Sequence, residues 1–192
     1  MIAIIKYPAG NITSVENAVN RLGYQCVVTD DVELLKSADK VIFPGVGEAS
    51  TAMKYLKETG LDKIIPALTQ PVLGICLGQQ LMCNFSEENN TECLGIFNTT
   101  VKKFPPTELV PHMGWNDLKL EQSRLLEGVS AEDNFYFVHS FYAEVCESTT
   151  ATCDYILPFS AVMEKDNFYA TQFHPEKSAD AGERILKNFL EF

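Results

Sequence analysis

Pro71-Val72-Leu73-Gly74-Ile75-Cys76-Leu77-Gly78 is the stretch on which the fold turns. Pro71–Ile75 is a short apolar run, the pattern of a strand buried on both faces, and a helix is predicted from Gly78 to about Phe85. A cysteine between a buried strand and a helix, flanked by Gly74 and Gly78, has the arrangement of a nucleophile elbow with sulfur in place of a hydroxyl. The glycines have a physical purpose. The nucleophile of such a turn sits in a strained backbone conformation, and side chains beside it would collide with neighbouring elements. The turn lifts the sulfur above the sheet edge. The N-terminus of the following helix favours thiolate over thiol. The amide of Leu77 then faces a carbonyl under attack, as one oxyanion donor. By itself the pattern fits a buried structural cysteine better, because Cys is among the most buried residue types.

Working outward toward the N-terminus, strand and helix signals alternate. Ile2–Lys6 is a nearly continuous apolar strand broken by Gly10-Asn11. Thr13 or Ser14 is placed to cap a helix with apolar positions Val15, Ala18, Val19 and Leu22, ending at Gly23. Gln25–Thr29 reads as a second strand and Lys40–Phe43 as a third, stopped by Pro44-Gly45-Val46-Gly47. Glu48–Thr59 is helical, with Ala52, Met53, Tyr55 and Leu56 on the apolar face and Gly60 closing it. Strands spaced by helices of this length imply right-handed β-α-β units and a parallel sheet. Toward the C-terminus the pattern changes. Thr99–Phe104, Asn116–Leu120, Phe135–Val138, Phe141–Val145, Thr152–Ile156, Ala161–Glu164 and Phe168–Gln172 read as short strands, many in hairpins. A last helix is predicted over Ala181–Leu190, with Ile185, Leu186, Phe189 and Leu190 on one face. The expected fold is α/β, a single domain over residues 1–192. Its central sheet is mixed and largely parallel, flanked by helices, with an antiparallel extension in the second half.

Composition narrows the function. The 192 residues are 46% hydrophobic and 21% charged, as in an ordinary globular protein. The net charge of −11 repels a phosphate backbone and an anionic membrane surface, so neither nucleic acid nor membrane is an expected partner. None of the six cysteines forms a Cys-x-x-Cys pair and no histidine cluster accompanies them, so no metal is expected. Met1 leads straight into Ile-Ala-Ile-Ile without a basic segment or cleavage site, and the expectation is a cytoplasmic enzyme with reduced thiols.

A cysteine nucleophile needs a base, and the base an orienting group. Phe173-His174-Pro175-Glu176 offers both. In an extended segment, residues two apart share a side, and Pro175 disfavours helix at His174. Of the three histidines, only His174 has a carboxylate two residues away; His112 and His139 have none nearby to orient them and read as structural. Pro44-Gly45-Val46-Gly47 lies, like Cys76, at the carboxyl end of a parallel strand, where open α/β sheets bind ligands. Its backbone N–H groups can turn toward an oxyanion. The loop is too short for a P-loop and no Gly-Lys-Ser/Thr follows, so no nucleotide and no other cofactor is expected.

Gly74-Ile75-Cys76-Leu77-Gly78 followed by Gln, with a late His174-Pro175-Glu176, resembles the class I (triad-type) glutamine amidotransferases over essentially the whole chain. Pro44-Gly45-Val46-Gly47, Pro111-His112-Met113-Gly114-Trp115-Asn116 and Tyr136-Phe137-Val138-His139-Ser140-Phe141-Tyr142 are similar to one branch of that family, the glutaminase subunits of imidazole glycerol phosphate synthase. The resemblance implies glutamine as substrate and a triad of Cys76, His174 and Glu176. It implies oxyanion donors at Leu77 and in the loop of Gly45, Val46 and Gly47. It also implies glutamine contacts from Gln80 and the Ser140-Phe141 backbone. The implied partner is a (β/α)₈-barrel cyclase in a heterodimer, receiving ammonia for histidine biosynthesis. Trp115, Tyr136 and Lys177 resemble interface positions, with a core tryptophan as the alternative for Trp115. Three other readings stay open at this point: the glutaminase of another synthase such as pyridoxal phosphate synthase, a cysteine hydrolase of similar fold, and a pseudo-glutaminase that only binds and regulates.

Overall fold

A computed structural model describes residues 1–8 and 10–192. The first half folds as β1 (Ile2–Ile5), α1 (Ile12–Arg21), β2 (Cys26–Thr29), α2 (Val32–Ser37), β3 (Lys40–Gly45), α3 (Ala49–Thr59), α4 (Leu61–Ile64), β4 (Val72–Cys76) and α5 (Leu77–Leu81). The second half adds β5 (Cys83–Ser86), β6 (Thr91–Glu92), β7 (Phe97–Lys103), β8 (His112–Asn116), β9 (Lys119–Leu120), β10 (Phe135–His139), β11 (Phe141–Ala143), β12 (Thr149–Tyr155), β13 (Leu157–Lys165), β14 (Phe168–Thr171) and α6 (Ala179–Glu191).

The central sheet runs β2-β1-β3-β4-β14-β13-β12-β9. It is parallel from β2 to β14 and antiparallel beyond, which is the mixed sheet with an antiparallel extension that the sequence predicts. Both faces of the parallel part are covered. Ile2 and Ile4 of β1 join a core with Val15 and Ala18 of α1 and Ile185 and Phe189 of α6. Ala3 and Ile5, pointing the other way, join a core with Ala52, Met53 and Leu56 of α3. Burial on both faces is why the parallel strands read as continuous apolar runs. A smaller sheet, β11-β7-β5-β6, and a ribbon of β8 with β10 flank the main one. Among the described residues no helix is long and apolar enough to cross a membrane.

Several local expectations need correction. Thr13 and Ser14 lie inside α1, whose N-cap is Asn11 at φ 74° with no side-chain cap bond. The segment after Cys76 is a five-residue helix followed by a strand, not a helix to Phe85, so a long macrodipole is absent there. The predicted Asn116–Leu120 strand is split between β8 and β9, which belong to different sheets. Helix α2 was not predicted; Asp31 caps it, accepting from the N–H groups of Glu33 and Leu34. Strands β5 and β6 also went unread, because β5 pairs parallel to β7 across a register shift and lacks clean alternation.

Candidate active site

Strand β4 sits between β3 and β14, with Cys76 opposite Gly45 and Ile75 opposite Thr171. At the end of β4 the chain turns sharply. Cys76 takes φ 54° and ψ −107°, a conformation that L-residues occupy at a cost of about 1–3 kcal/mol. The flanking glycines are required by contact. A Cβ on Gly78 would lie 1.8 Å from the Phe43 carbonyl oxygen, and one on Gly74 would lie 2.9 Å from Met82 Sδ. The elbow is therefore packed against β3 with no room for side chains.

His174 follows β14 in extended conformation, but Pro175–Lys177 forms a 3₁₀ turn rather than continuing extended. The turn still delivers the carboxylate: Glu176 Oε1 lies 2.7 Å from His174 Nδ1, with both side chains fully buried. Burial alone pushes the imidazole pKa down. Hydrogen bonding and charge from Cys76 and Glu176 outweigh it and carry His174 up to about 10. Nδ1–H thus donates to Glu176, while Nε2 is buried and, among the described residues, has no partner at hydrogen-bond geometry. The main chain fixes this loop. His174 N–H donates to the Tyr136 carbonyl at 3.0 Å. Ser178 Oγ donates to the His174 carbonyl at 2.6 Å and accepts the Tyr136 N–H at 2.9 Å.

The sulfur opens into a cleft of about 410 Å³, within the range of small-molecule sites. Val46, Gly47, Leu77, Gln80, Ser140 and Phe141 line it, so the segments singled out in the sequence converge there. Gly45 stands behind, paired with Cys76. Gly47 takes φ 117°, which suits glycine. Leu77 opens the short α5, so its N–H has no intrahelical acceptor. His139 also lines the cleft, yet burial pushes it down to about 3 and its neighbour His112 to about 4. Both are neutral near pH 7. His139 Nδ1 donates to the Phe141 carbonyl at 2.7 Å, and its Nε2 lies 2.9 Å from His112 Nδ1, so the pair braces the cleft wall.

Two site residues escaped the sequence reading. Asn11, read only as a strand breaker, donates through Nδ2 to Glu176 Oε1, so the carboxylate has a second anchor. Glu88, from a stretch that carried no motif, lines the cleft; it accepts the Ala49 N–H at 2.8 Å, and burial raises its pKa. Neither has a local signature, since each acts across long sequence separation. Of the positions expected at an interface, Trp115 is 55% exposed, which removes the core alternative. Its ring meets Tyr136 edge-on at 5.9 Å across the β8–β10 ribbon, and Lys177 is exposed at the end of the turn that carries Glu176.

The family model described as glutamine amidotransferase class-I matches residues 4–192. The imidazole glycerol phosphate synthase subunit HisH of Bacteroides fragilis is 63% identical, covering 99% of this chain and 98% of that protein. The subunit of the same name from Bacteroides thetaiotaomicron is 60% identical over 99% of this chain and 98% of its own length. That from Pasteurella multocida is 48% identical over 99% of this chain and 97% of its own. Among solved structures, one described as a glutamine amidotransferase superposes with a TM-score of 0.79 at 21% identity, covering 100% of this chain and 98% of that one. A chain of PurLQS from Thermotoga maritima superposes at 0.69 with 14% identity, covering 99% of this chain and 97% of its own. At such identities these two speak to the fold alone.

Proposed function

This chain belongs to the class I glutamine amidotransferases, and we propose that Cys76 is its nucleophile, His174 its acid and base, and Glu176 the group that orients His174. With relatives 60% and 63% identical over nearly the full length, it acts as the glutaminase subunit of an imidazole glycerol phosphate synthase, and so works with a partner subunit. The same relatives decide against the pyridoxal phosphate synthase and general hydrolase alternatives. One observation carries the residue assignment: a fully buried His174–Glu176 pair, 2.7 Å apart, follows the strand that pairs with β4, whose last residue is Cys76 at a strained strand–helix turn lining the cleft.

Cys76 Sγ attacks the side-chain carbonyl carbon of glutamine. The oxyanion is met by the Leu77 N–H and by N–H groups of the Gly45–Val46–Gly47 loop. His174 Nε2–H protonates the departing nitrogen, which leaves as ammonia, and a thioester remains. Neutral His174 then takes a proton from water; the hydroxide adds, the carbon–sulfur bond breaks, and glutamate and Cys76 are released. Gln80 and the Ser140–Phe141 backbone hold the substrate, and the Glu88 carboxylate across the cleft suits its α-ammonium. No cofactor enters this scheme.

The finer reading of the assembly is also ours. A single amidotransferase domain over residues 1–192 pairs as a heterodimer with a (β/α)₈-barrel cyclase in the cytoplasm. The cyclase face is the β8–β10 ribbon with Trp115, Tyr136 and the nearby Lys177, supported by a large exposed aromatic beside the base. The test is glutamate formation by the chain alone, with a barrel cyclase, and with cyclase plus its nucleotide ligand, each beside Cys76→Ala. Stimulation by the liganded cyclase that disappears in Cys76→Ala is expected. Full activity without any partner would overturn the cyclase pairing, and activity surviving in Cys76→Ala would overturn the triad.

A further inference from the structure

We infer that Gln172 is a positioning residue of the nucleophile, its side-chain amide donating a hydrogen bond to Cys76 Sγ; this rests on Cys76 being the nucleophile. Gln172 is fully buried just past β14, two residues before His174. Its Nε2 lies 3.7 Å from the sulfur. Its Oε1 lies 2.9 Å from Gln80 Nε2, and that same nitrogen lies 2.9 Å from the Phe141 carbonyl oxygen.

The direction of this relay follows from its far end. The Phe141 carbonyl can only accept, so Gln80 must present its NH₂ group there. Gln80 then uses its other N–H on Gln172, which must answer with its oxygen. That leaves the Gln172 NH₂ group facing the sulfur. The amide orientation at the nucleophile is thereby set from the wall of the substrate cleft, where Phe141 also receives the N–H of His139.

An N–H aimed at sulfur favours the thiolate over the thiol and holds Sγ against rotation. His174 does part of this as an imidazolium, but its proton leaves with ammonia. When the thioester breaks, the sulfur departs as an anion while His174 is cycling. Gln172 does not titrate and offers its donor at every stage. The other titratable groups around the sulfur are Tyr7, buried on the loop after β1, with His139 and Glu88 across the cleft.

The test is the pH profile of iodoacetamide alkylation at each cysteine of the full chain, resolved by mass spectrometry, in wild type, Gln172→Met and Gln172→Glu. The Glu side chain has the shape of Gln and keeps an acceptor for Gln80, but sets an oxygen where the donor stood. The Cys76 midpoint is expected to rise by about one pH unit in Gln172→Met, the worth of one hydrogen bond to a charged group, and further in Gln172→Glu. Slow reaction at the fully buried Cys83 reports that each variant is folded. Gln80→Leu, which frees the Gln172 amide to turn, gives a smaller rise and carries the test if Gln172→Glu does not fold. Unmoved midpoints with a reactive Cys76 would overturn this inference alone. A wild-type Cys76 that never reacts would overturn the nucleophile assignment and this inference together.

Discussion

Cys76 occupies a backbone region that glycine tolerates and other residues resist. Helices ordinarily prefer alanine to glycine by about 1 kcal/mol. At this position the order inverts: Cys76→Gly is expected to unfold at a temperature at least as high as Cys76→Ala, measured by scanning calorimetry, and a less stable Gly variant would contradict the strain. Gly78→Ala is expected to cost about 3 kcal/mol or more, because its methyl would meet the rigid Phe43 backbone rather than a yielding side chain. His174 gives the pH dependence. Its pKa is raised in the folded state, from 6.5 to about 10, so its contribution to stability is complete below the unfolded value and is lost as pH rises through the folded one. The stability difference between wild type and His174→Gln should therefore shrink as pH rises through about 10, read from urea unfolding at a series of pH values. At this scale much was legible beforehand. The two glycines, the cysteine and the His-Pro-Glu run carry their meaning within five residues. Asn11, Glu88 and Gln172 do not, because each reaches its partner through the packing of distant segments.

At the scale of elements, the β8–β10 ribbon and the Gly45–Gly47 loop approach the cleft from different sheets. The ribbon presents Trp115 outward while its other strand clamps His174 through backbone bonds. Trp115→Ala is expected to weaken cyclase binding by about 2 kcal/mol, as an aromatic hot spot does, with the triad intact. Titration calorimetry showing an unchanged Kd would remove Trp115 from the interface. The loop is a candidate switch, since a peptide flip creates or removes an oxyanion donor. Hydrogen exchange at residues 45–47 is expected to change when cyclase and its ligand bind, and no change would count against the switch. Elements with strong internal patterns, such as β1, β3, β4, α3 and α6, were legible in the sequence. Helix α2 is six residues long and held by one cap, and β5 and β6 take their conformation from neighbours, so local pattern was silent on them.

At the scale of the molecule, one sheet separates two cores. Leu56 of α3 and Phe189 of α6 are both fully buried, on opposite faces. Leu56→Ala and Phe189→Ala are each expected to cost about 3–4 kcal/mol, and the double variant to show nearly the sum, because they share no partner. Strong non-additivity in denaturant unfolding would mean that the sheet transmits the loss from one core to the other. The sequence announced this architecture through apolar runs without alternation, which only a strand covered twice can carry.

The bonds that anchor His174 to the ribbon run to the carbonyl and N–H of Tyr136 and through the Ser178 hydroxyl, never to the Tyr136 ring. Any residue but proline at 136 can supply both of these peptide groups, so His174 keeps its mooring. The outward face of the ribbon can therefore change its side chains without touching the backbone bonds that hold His174. What this ribbon shows to solvent and what it holds in place are set by different atoms, side chain for the one and peptide for the other.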